Sequence, residues 1–267
     1  MTLAARALAM VAIAVALATE SGAAAAPEPD ALMRRVQAHA SAPDEEVQFA
    51  MDLIDSGGQV RRRTGVVYSR QVSPGSVDQM RLIRFHSPAD IKGSGVLTIE
   101  NPDRDNDQWL YLPAYHTTRR IAPANRGDRY MGTDFLYEDI MREKVEEYRY
   151  RTTSASTLLR DISCTVLEAV PTAPQLSRET AYSRKLIWID PVRDLVLRVD
   201  YYDRGGQLFK RFVVEAAERV GDRYRPSAVR MEDFARRHAT VIQYHDRKIG
   251  AGVPESHFTE RYLKRGQ

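Results

Sequence analysis

Three aspartates spaced at every second residue give this sequence its strongest candidate for metal chemistry. Asp103, Asp105 and Asp107 follow the spacing of the first ligands in a calcium-binding loop. Gln108 stands where that loop needs the glycine of a tight turn, and Ala114 stands where it needs a bidentate glutamate. We therefore predict a solvated turn between two strands here, and no metal site.

The histidines and the single cysteine lack the partners that metal binding or catalysis requires. The six histidines show no zinc-ligand spacing, and the separation between His238 and His245 puts these two on opposite faces of a strand. Cys164 is the only cysteine, so an internal disulfide is excluded. Its neighbours Ile162 and Val166 predict a buried, unreactive thiol.

No catalytic motif is visible in the sequence. It contains no Gly-x-Ser-x-Gly elbow and no phosphate-binding glycine loop. The adjacent carboxylates of Glu138 and Asp139 would suit acid–base catalysis, but carboxylates are also favoured at the start of any short helix. We expect no catalytic residues, no cofactor and a non-enzymatic protein.

The N-terminal residues have the pattern of a secretory signal peptide. Arg6 precedes an apolar run from Ala7 to Ala18, and small residues then lead to a polar segment that begins at Pro27. The run is shorter than the ~20 apolar residues that a membrane-spanning helix needs. We assign residues 1–25 to the signal peptide and residues 26–267 to a single domain. No cysteine stands near the cleavage region, so we expect an exported protein without a lipid anchor.

The charge distribution gives no sign of a nucleic-acid partner. The formal net charge is +3, and acidic and basic residues alternate along the chain. Nucleic-acid binding proteins concentrate lysine and arginine in dense patches, which this sequence lacks.

One amphipathic helix precedes a long series of strands. Asp30 can cap a helix over residues 31–40, and from Val47 to Leu53 apolar residues alternate with polar ones, as in a strand with one buried face. Further strand-like segments rich in β-branched and aromatic residues cover 59–71, 77–86, 95–101, 108–112, 117–122, 147–152, 161–170, 184–190, 195–203, 207–217, 224–233 and 240–247. Short connections predict a mainly β domain with a sequential antiparallel meander. The clearest hairpin turns at Gly205-Gly206.

A segment from Pro123 to Lys144 interrupts the strands. Asp134 is a suitable N-cap for a short helix that begins at Phe135. This helix would be a lid over an open sheet face or a simple cover for the core. A sheet of this length must curl. Periodicity leaves open whether its interior is filled by side chains or keeps a cavity.

Several motifs in the middle of the chain carry a family resemblance. They read FHSPADIKG at 85–93, WLYLPA at 109–114, RRI at 119–121 and RYMGTDFLYED at 129–139. The motifs WIDP at 188–191, YYD at 201–203 and GQLFK at 206–210 extend the series. In this order and spacing they resemble the bacterial LolA-like family, known as outer-membrane lipoprotein-sorting proteins.

The resemblance implies a fold and a function. The fold is an antiparallel half-open β-barrel of the LolA/LolB type, with an N-terminal helix and a central loop-helix insertion acting as a lid over a hydrophobic cavity. The function is that of a periplasmic carrier for a lipid or a lipoprotein acyl chain, working with an inner-membrane RND-type transporter or an outer-membrane receptor. The resemblance assigns no individual binding residue. From their aromatic or aliphatic character we select as candidate cavity residues Phe85, Leu97, Trp109, Tyr111, Met131, Phe135 and Trp188.

Two alternatives remain at this point. A fully packed sheet would make the protein a non-carrier envelope adaptor or assembly protein that binds a transporter through its β scaffold. A serine, a histidine and a carboxylate that meet at the cavity mouth would make it a hydrolase of lipid-like substrates.

Overall fold

The computed structural model of this protein describes residues 28–265, so the predicted signal peptide at 1–25 lies outside the described residues. Within 28–265, the α-helices are α1 (Pro29–Ala40), α2 (Pro174–Glu179) and α3 (Glu260–Lys264). The strands are β1 (Asp44–Ile54), β2 (Val60–Gln71), β3 (Gln79–Ser87), β4 (Gly95–Ile99), β5 (Asp107–Leu112), β6 (Thr117–Arg120), β7 (Tyr148–Leu159), β8 (Ile162–Pro171), β9 (Tyr182–Asp190), β10 (Leu195–Asp203), β11 (Leu208–Val220), β12 (Arg223–Asp233) and β13 (His238–Ile249). Each segment expected from the sequence overlaps one of these strands.

Helix α1 forms as predicted but begins earlier. Pro29 occupies its first turn, where the fixed φ of proline suits the helix and the missing N–H costs nothing. The helix therefore includes Asp30 in its first turn, and the prediction that Asp30 is the N-cap is wrong. Leu32, Met33 and Val36 are buried, so one face of α1 packs on the core.

All strands join one antiparallel sheet in the order β6-β5-β4-β3-β2-β1-β13-β12-β11-β10-β9-β8-β7. The predicted meander is correct within each half of the chain, and the β10–β11 hairpin forms with Tyr201 opposite Lys210. It is wrong at one point, because β1 pairs with β13 in the middle of the sheet. Strands β6 and β7 are therefore the two edges. The sheet curls into a half-open barrel in which these edges remain unpaired with each other.

The segment at 121–147, called the strap from here on, links the two edges of the sheet. It contains only short 3-10 turns, and the predicted helix is reduced to one such turn at Tyr137–Ile140. Asp134 does not cap it: its side chain is fully buried and bonded to strand β13. Asp139 instead accepts a hydrogen bond from the backbone N–H of Leu136, at 2.6 Å. Asp134 is therefore unavailable as the cap of this turn, because its carboxylate is bonded to β13.

The sheet carries apolar clusters on both faces. The inner face holds the main core, which includes Phe49, Phe85 and Met231. On the outer face, Leu82 and Leu97 pack with Leu263 of helix α3 in a second cluster. Helix α1 and the strap cover the inner face. Among residues 28–265, no helix has the length and apolar character needed to cross a bilayer.

Candidate functional site

A cavity of about 340 Å³ lies between the inner face of the sheet and the strap. Strands β1, β2, β3, β11, β12 and β13 form its wall, and Tyr130, Phe135 and Ile140 of the strap form its cover. This volume is at the lower end of the roughly 300–1,000 Å³ found for small-molecule sites. The cavity is therefore suited to one slender ligand, such as a single alkyl chain.

Strand register arranges the wall of the cavity in layers. Ile83, Val67 and Val47 pair directly across β3, β2 and β1 and form an apolar layer. The next layers are Phe85 with Gly65, Phe49 and Tyr244, and then Met51 with Ile242 and Val229. The side chains of one layer lie on one face because the side chains of a strand alternate between faces.

Gly65 allows one of these layers to form. A Cβ atom at this position would lie 2.6 Å from the ring of Phe49 and 2.2 Å from the carbonyl oxygen of Arg84. The Phe49 ring therefore lies across the backbone of β2 and meets Phe85 edge to face, with 5.7 Å between ring centroids.

The other end of the cavity is polar and mainly basic. Arg81, Ser69 and Glu45 pair across β3, β2 and β1 in the layer beside the first apolar one. Arg225 of β12 and Arg247 of β13 both approach the Glu45 carboxylate. The cavity thus combines an apolar body with an arginine-rich end.

A buried ion pair fastens the strap to the sheet. Asp139 accepts from Lys210 Nζ at 2.5 Å and from the Tyr182 hydroxyl at 2.7 Å. Burial lowers the pKa of Lys210, and the Asp139 carboxylate opposes that shift. Burial also raises the pKa of Tyr182 well above its usual value, and Asp139 adds to this effect. Both shifts arise because the groups are away from water.

A second buried contact holds the strap at Asp134. Its carboxylate accepts from the Thr240 hydroxyl at 2.7 Å and lies 2.6 Å from Nδ1 of His238. The Asp–His pair is reminiscent of a hydrolase triad, but the Thr240 hydroxyl donates to Asp134 and not to the histidine. Nε2 of His238 is buried without a hydrogen-bond partner. Acyl transfer requires a hydrogen bond between a nucleophile and its base, and the Thr240 hydroxyl makes none with His238. We therefore interpret the contacts of Asp134 as holding the strap against β13.

Three of the candidate residues predicted from the sequence lie on the inner side of the sheet. Phe135 lines the cavity directly. Phe85 is fully buried in the core next to the cavity and stacks on Tyr130, with ring centroids 6.2 Å apart. Met131 packs at the margin of the core, and its carbonyl oxygen accepts from Arg63 at 2.7 Å. Ligand contact by these residues stays a prediction.

The structure places the other four candidates elsewhere. Leu97, Trp109 and Tyr111 belong to the outer cluster beneath helix α3. Trp188 alternates with the buried inner residues of β9, and the Arg198 guanidinium lies 4.2 Å from the centroid of its ring. The expectation that these four residues line the cavity is therefore corrected. Side chains alternate between the two faces of a strand, and a sequence motif does not reveal which face is the inner one.

The sequence analysis missed most of the wall. Val67, Ile83 and Tyr244 line the cavity, as do Arg81 and Arg225. Alternation within each strand indicates that these residues share a face with their neighbours. Only the pairing of β1 with β13 reveals that strands distant in sequence surround one space.

Two other pockets are less suited to a chain-like ligand. One of about 50 Å³ lies under the strap among charged groups that include Lys185 and Glu143. Another of about 270 Å³ lies between β10 and β11 near Leu195 and Val214. The 340 Å³ cavity is the largest of these three and has the most apolar lining.

In the aspartate-rich segment at 103–107, arginine side chains bind the Asp107 carboxylate. Asp107 begins β5 and accepts from Arg104 and Arg120, at 2.5 Å in each case. The Arg104 hydrogen bond is the main cause that lowers the pKa of Asp107. Within residues 28–265, no three histidine, cysteine or acidic side chains cluster as a metal site would require.

Comparisons with known proteins agree with this architecture. A family model described as "-like: Uncharacterized protein" matches residues 77–265. A search of the curated proteins finds no match. A crystal structure of a DUF1329 family protein from Desulfovibrio piger is 28% identical, with 88% of this chain and 97% of that chain covered and a TM-score of 0.81.

Two further crystal structures have related folds. An outer membrane lipoprotein-sorting protein domain from Vibrio parahaemolyticus is 26% identical, with 89% and 98% of the two chains covered and a TM-score of 0.81. A LolA superfamily protein from Nitrosomonas europaea shares the fold at 18% identity, with coverage of 88% and 98% and a TM-score of 0.68.

Proposed function

This chain belongs to the LolA-like family, and from that premise we propose that it is a carrier that binds a lipid, or the acyl chain of a lipoprotein, beneath the strap. One observation carries the proposal: an apolar cavity of about 340 Å³ lies inside the half-open barrel. The relative from Vibrio parahaemolyticus, described as a lipoprotein-sorting domain, supports cargo of this class.

Apolar burial would supply the binding free energy. Each methylene transferred from water contributes about 0.8 kcal/mol, so a single chain of moderate length is enough for firm binding. The layers of Ile83, Val67 and Val47 and of Phe49 and its neighbours offer apolar contacts along the path of such a chain. No particular headgroup chemistry is needed for this part of the proposal.

The proposal also covers location and partners. Residues 1–25 would act as a cleaved signal peptide, residues 26–267 would be one periplasmic domain, and an RND-type transporter or an outer-membrane receptor would exchange the cargo. A carrier is favoured over a hydrolase because Ser69 lines the cavity without a histidine beside it among the described lining residues.

Filling the cavity tests the proposal. Val67→Trp adds a large side chain to the middle of the wall, whereas Val60→Trp changes an exposed residue of the same strand. We expect Val67→Trp to weaken binding of a fluorescent fatty acid by about tenfold or more, in line with the ~1–3 kcal/mol cost of overfilling a packed space. Val60→Trp should bind as the parent protein does.

Two results would contradict the carrier proposal. Equal binding by the parent protein and Val67→Trp would place the ligand outside the cavity. If the folded parent protein takes up no fatty acid and no neutral alkyl probe, the alternative of an envelope adaptor with a protein partner replaces it.

A further inference from the structure

The basic end of the cavity has more positive than negative charge. Arg81, Arg225 and Arg247 contribute three guanidinium groups there, and Arg225 and Arg247 both approach the Glu45 carboxylate. Arg247 has a second acidic contact, with Glu218 at 2.8 Å. Three arginines with two glutamates leave a net charge of +1, which one monoanion would balance.

Arg225 is the most deeply buried of these arginines. Its residue is only 4% exposed, yet its Nε and Nη2 have no hydrogen-bond partner. Glu45 is 3.7 Å from Nε, beyond hydrogen-bond distance. Nη1 donates to the backbone carbonyl of His39 at 2.8 Å, so the opposite edge of the group is already held. Nε and Nη2 form the edge that binds carboxylates in a bidentate manner.

Arg81 is also available to a ligand. It lies in the cavity wall, half-buried, and its Nη1 donates to the carbonyl oxygen of Ile140 at 2.9 Å. Within residues 28–265, no carboxylate lies within ion-pair distance of it. Burial raises the pKa of Tyr244, and Arg247 and Arg81 both oppose that shift, so both positive charges act on the same residue of the cavity lining.

We infer that this arginine cluster binds the carboxylate of a single-chain fatty acid whose alkyl tail occupies the apolar layers. The inference rests on the proposed function, since it assigns a headgroup site to the same cavity. The volume admits one chain, the net charge of the cluster matches one negative charge, and the Nε and Nη2 edge of Arg225 matches a carboxylate in shape. The head would lie at the end near Arg81 and the tail toward Met51.

Ligands that share one tail and differ in the head test the inference. Binding of dodecanoate, dodecanol, dodecylammonium and dodecyl phosphate to the full-length protein is measured by calorimetry. We expect dodecanoate to bind most tightly. Arg81→Gln should weaken dodecanoate binding on the order of tenfold, as loss of a charge-assisted contact predicts, and leave dodecanol unchanged.

Two further variants sharpen the test. Arg230→Gln removes an arginine of β12 that pairs with Glu215, outside the cavity lining, and should bind every ligand as the parent does. Glu45→Gln removes the acid that competes with the ligand, so dodecanoate should bind more tightly to it. Thermal unfolding of each variant verifies that it is folded.

The outcomes separate this inference from the carrier proposal. Equal binding of dodecanoate and dodecanol, or no effect of Arg81→Gln, would overturn the headgroup site while the carrier proposal stands. Tighter binding of dodecyl phosphate would overturn the choice of a carboxylate. If no alkyl ligand binds at all, the carrier proposal fails together with the inference.

Discussion

Asp139 joins the strap to the sheet through two donors, the Lys210 ammonium and the Tyr182 hydroxyl, and it also accepts from the Leu136 amide within the strap. We predict that Asp139→Ala lowers the free energy of unfolding by about 3–5 kcal/mol, because the buried Lys210 ammonium loses its ion-pair partner and keeps only the backbone carbonyl of Asp134. Urea denaturation measures this loss.

A double variant supplies the control for this prediction. In Asp139→Ala with Lys210→Met, both charges are absent, so much of the lost stability should return. If the double variant is as unstable as the sum of the two single variants, the pair makes no coupled contribution and the prediction is wrong.

At the level of single residues, the sequence predicted some side chains and not others. Cys164 is buried as its apolar neighbours indicated, and Phe135 lies in the cavity wall. Arg81 and Arg225 were missed because an arginine in a strand ordinarily points to solvent. Arg81 contacts Ile140 of the strap and Arg225 approaches Glu45 of β1, and no local pattern reveals either contact.

The strap is held at Asp134 by the hydroxyl of Thr240 in β13. We predict that Thr240→Val, which keeps the shape but removes that hydroxyl, loosens the strap without unfolding the sheet. Hydrogen exchange of strap amides should accelerate, and bound ligand should dissociate faster, because the cover opens more often. Mass spectrometry of exchanged peptides measures the first effect and stopped-flow fluorescence the second.

Thr165→Val provides a matched control for the strap variant. Thr165 is buried in β8 and donates to the carbonyl oxygen of Ala155, away from the strap. Its loss should leave strap exchange and ligand dissociation unchanged. Equal acceleration in both variants would mean that general destabilisation, and not the strap contact, controls opening.

Among the elements, local turn chemistry was the best guide. The hairpin at Gly205-Gly206 is correct because glycine supplies the left-handed backbone that the turn needs, with φ of 78° at Gly206. The strap was less predictable. Its 3-10 turns follow from contacts of Asp134 and Asp139 with distant strands, and such contacts leave no periodic signal in the sequence.

For the molecule as a whole, buried tyrosines determine stability at alkaline pH. Burial is the main cause that raises the pKa of Tyr130, Tyr182 and Tyr201. The folded protein therefore keeps protons that the unfolded chain releases near pH ~10. We predict full stability below that pH and a steady loss above it, measured by urea unfolding between about pH 8 and pH 11.

Two buried lysines act on this pH dependence in opposite senses. Burial lowers the pKa of Lys185, but Glu143 and nearby tyrosines raise it well above its usual value, so Lys185 acts in the same sense as the tyrosines. Lys210 acts in the opposite sense because burial lowers its pKa, but one lysine is outweighed by several tyrosines. The absorbance of tyrosinate should appear together with unfolding and not before it. Ionisation of these tyrosines near pH ~10 in the folded protein would contradict the prediction.

The pairing of β1 with β13 also determines when the sheet can be completed after synthesis of the chain. Strands β1 to β6 and β7 to β12 are contiguous in the chain, but each set ends in a bare hydrogen-bonding edge until β13 is inserted between them. A chain truncated before residue 238 would contain two half-sheets with bare edges, and these edges would be prone to pairing with other chains. Completion of the barrel thus depends on β13, which follows the other twelve described strands in the chain, and incomplete products would be exposed to proteases and chaperones.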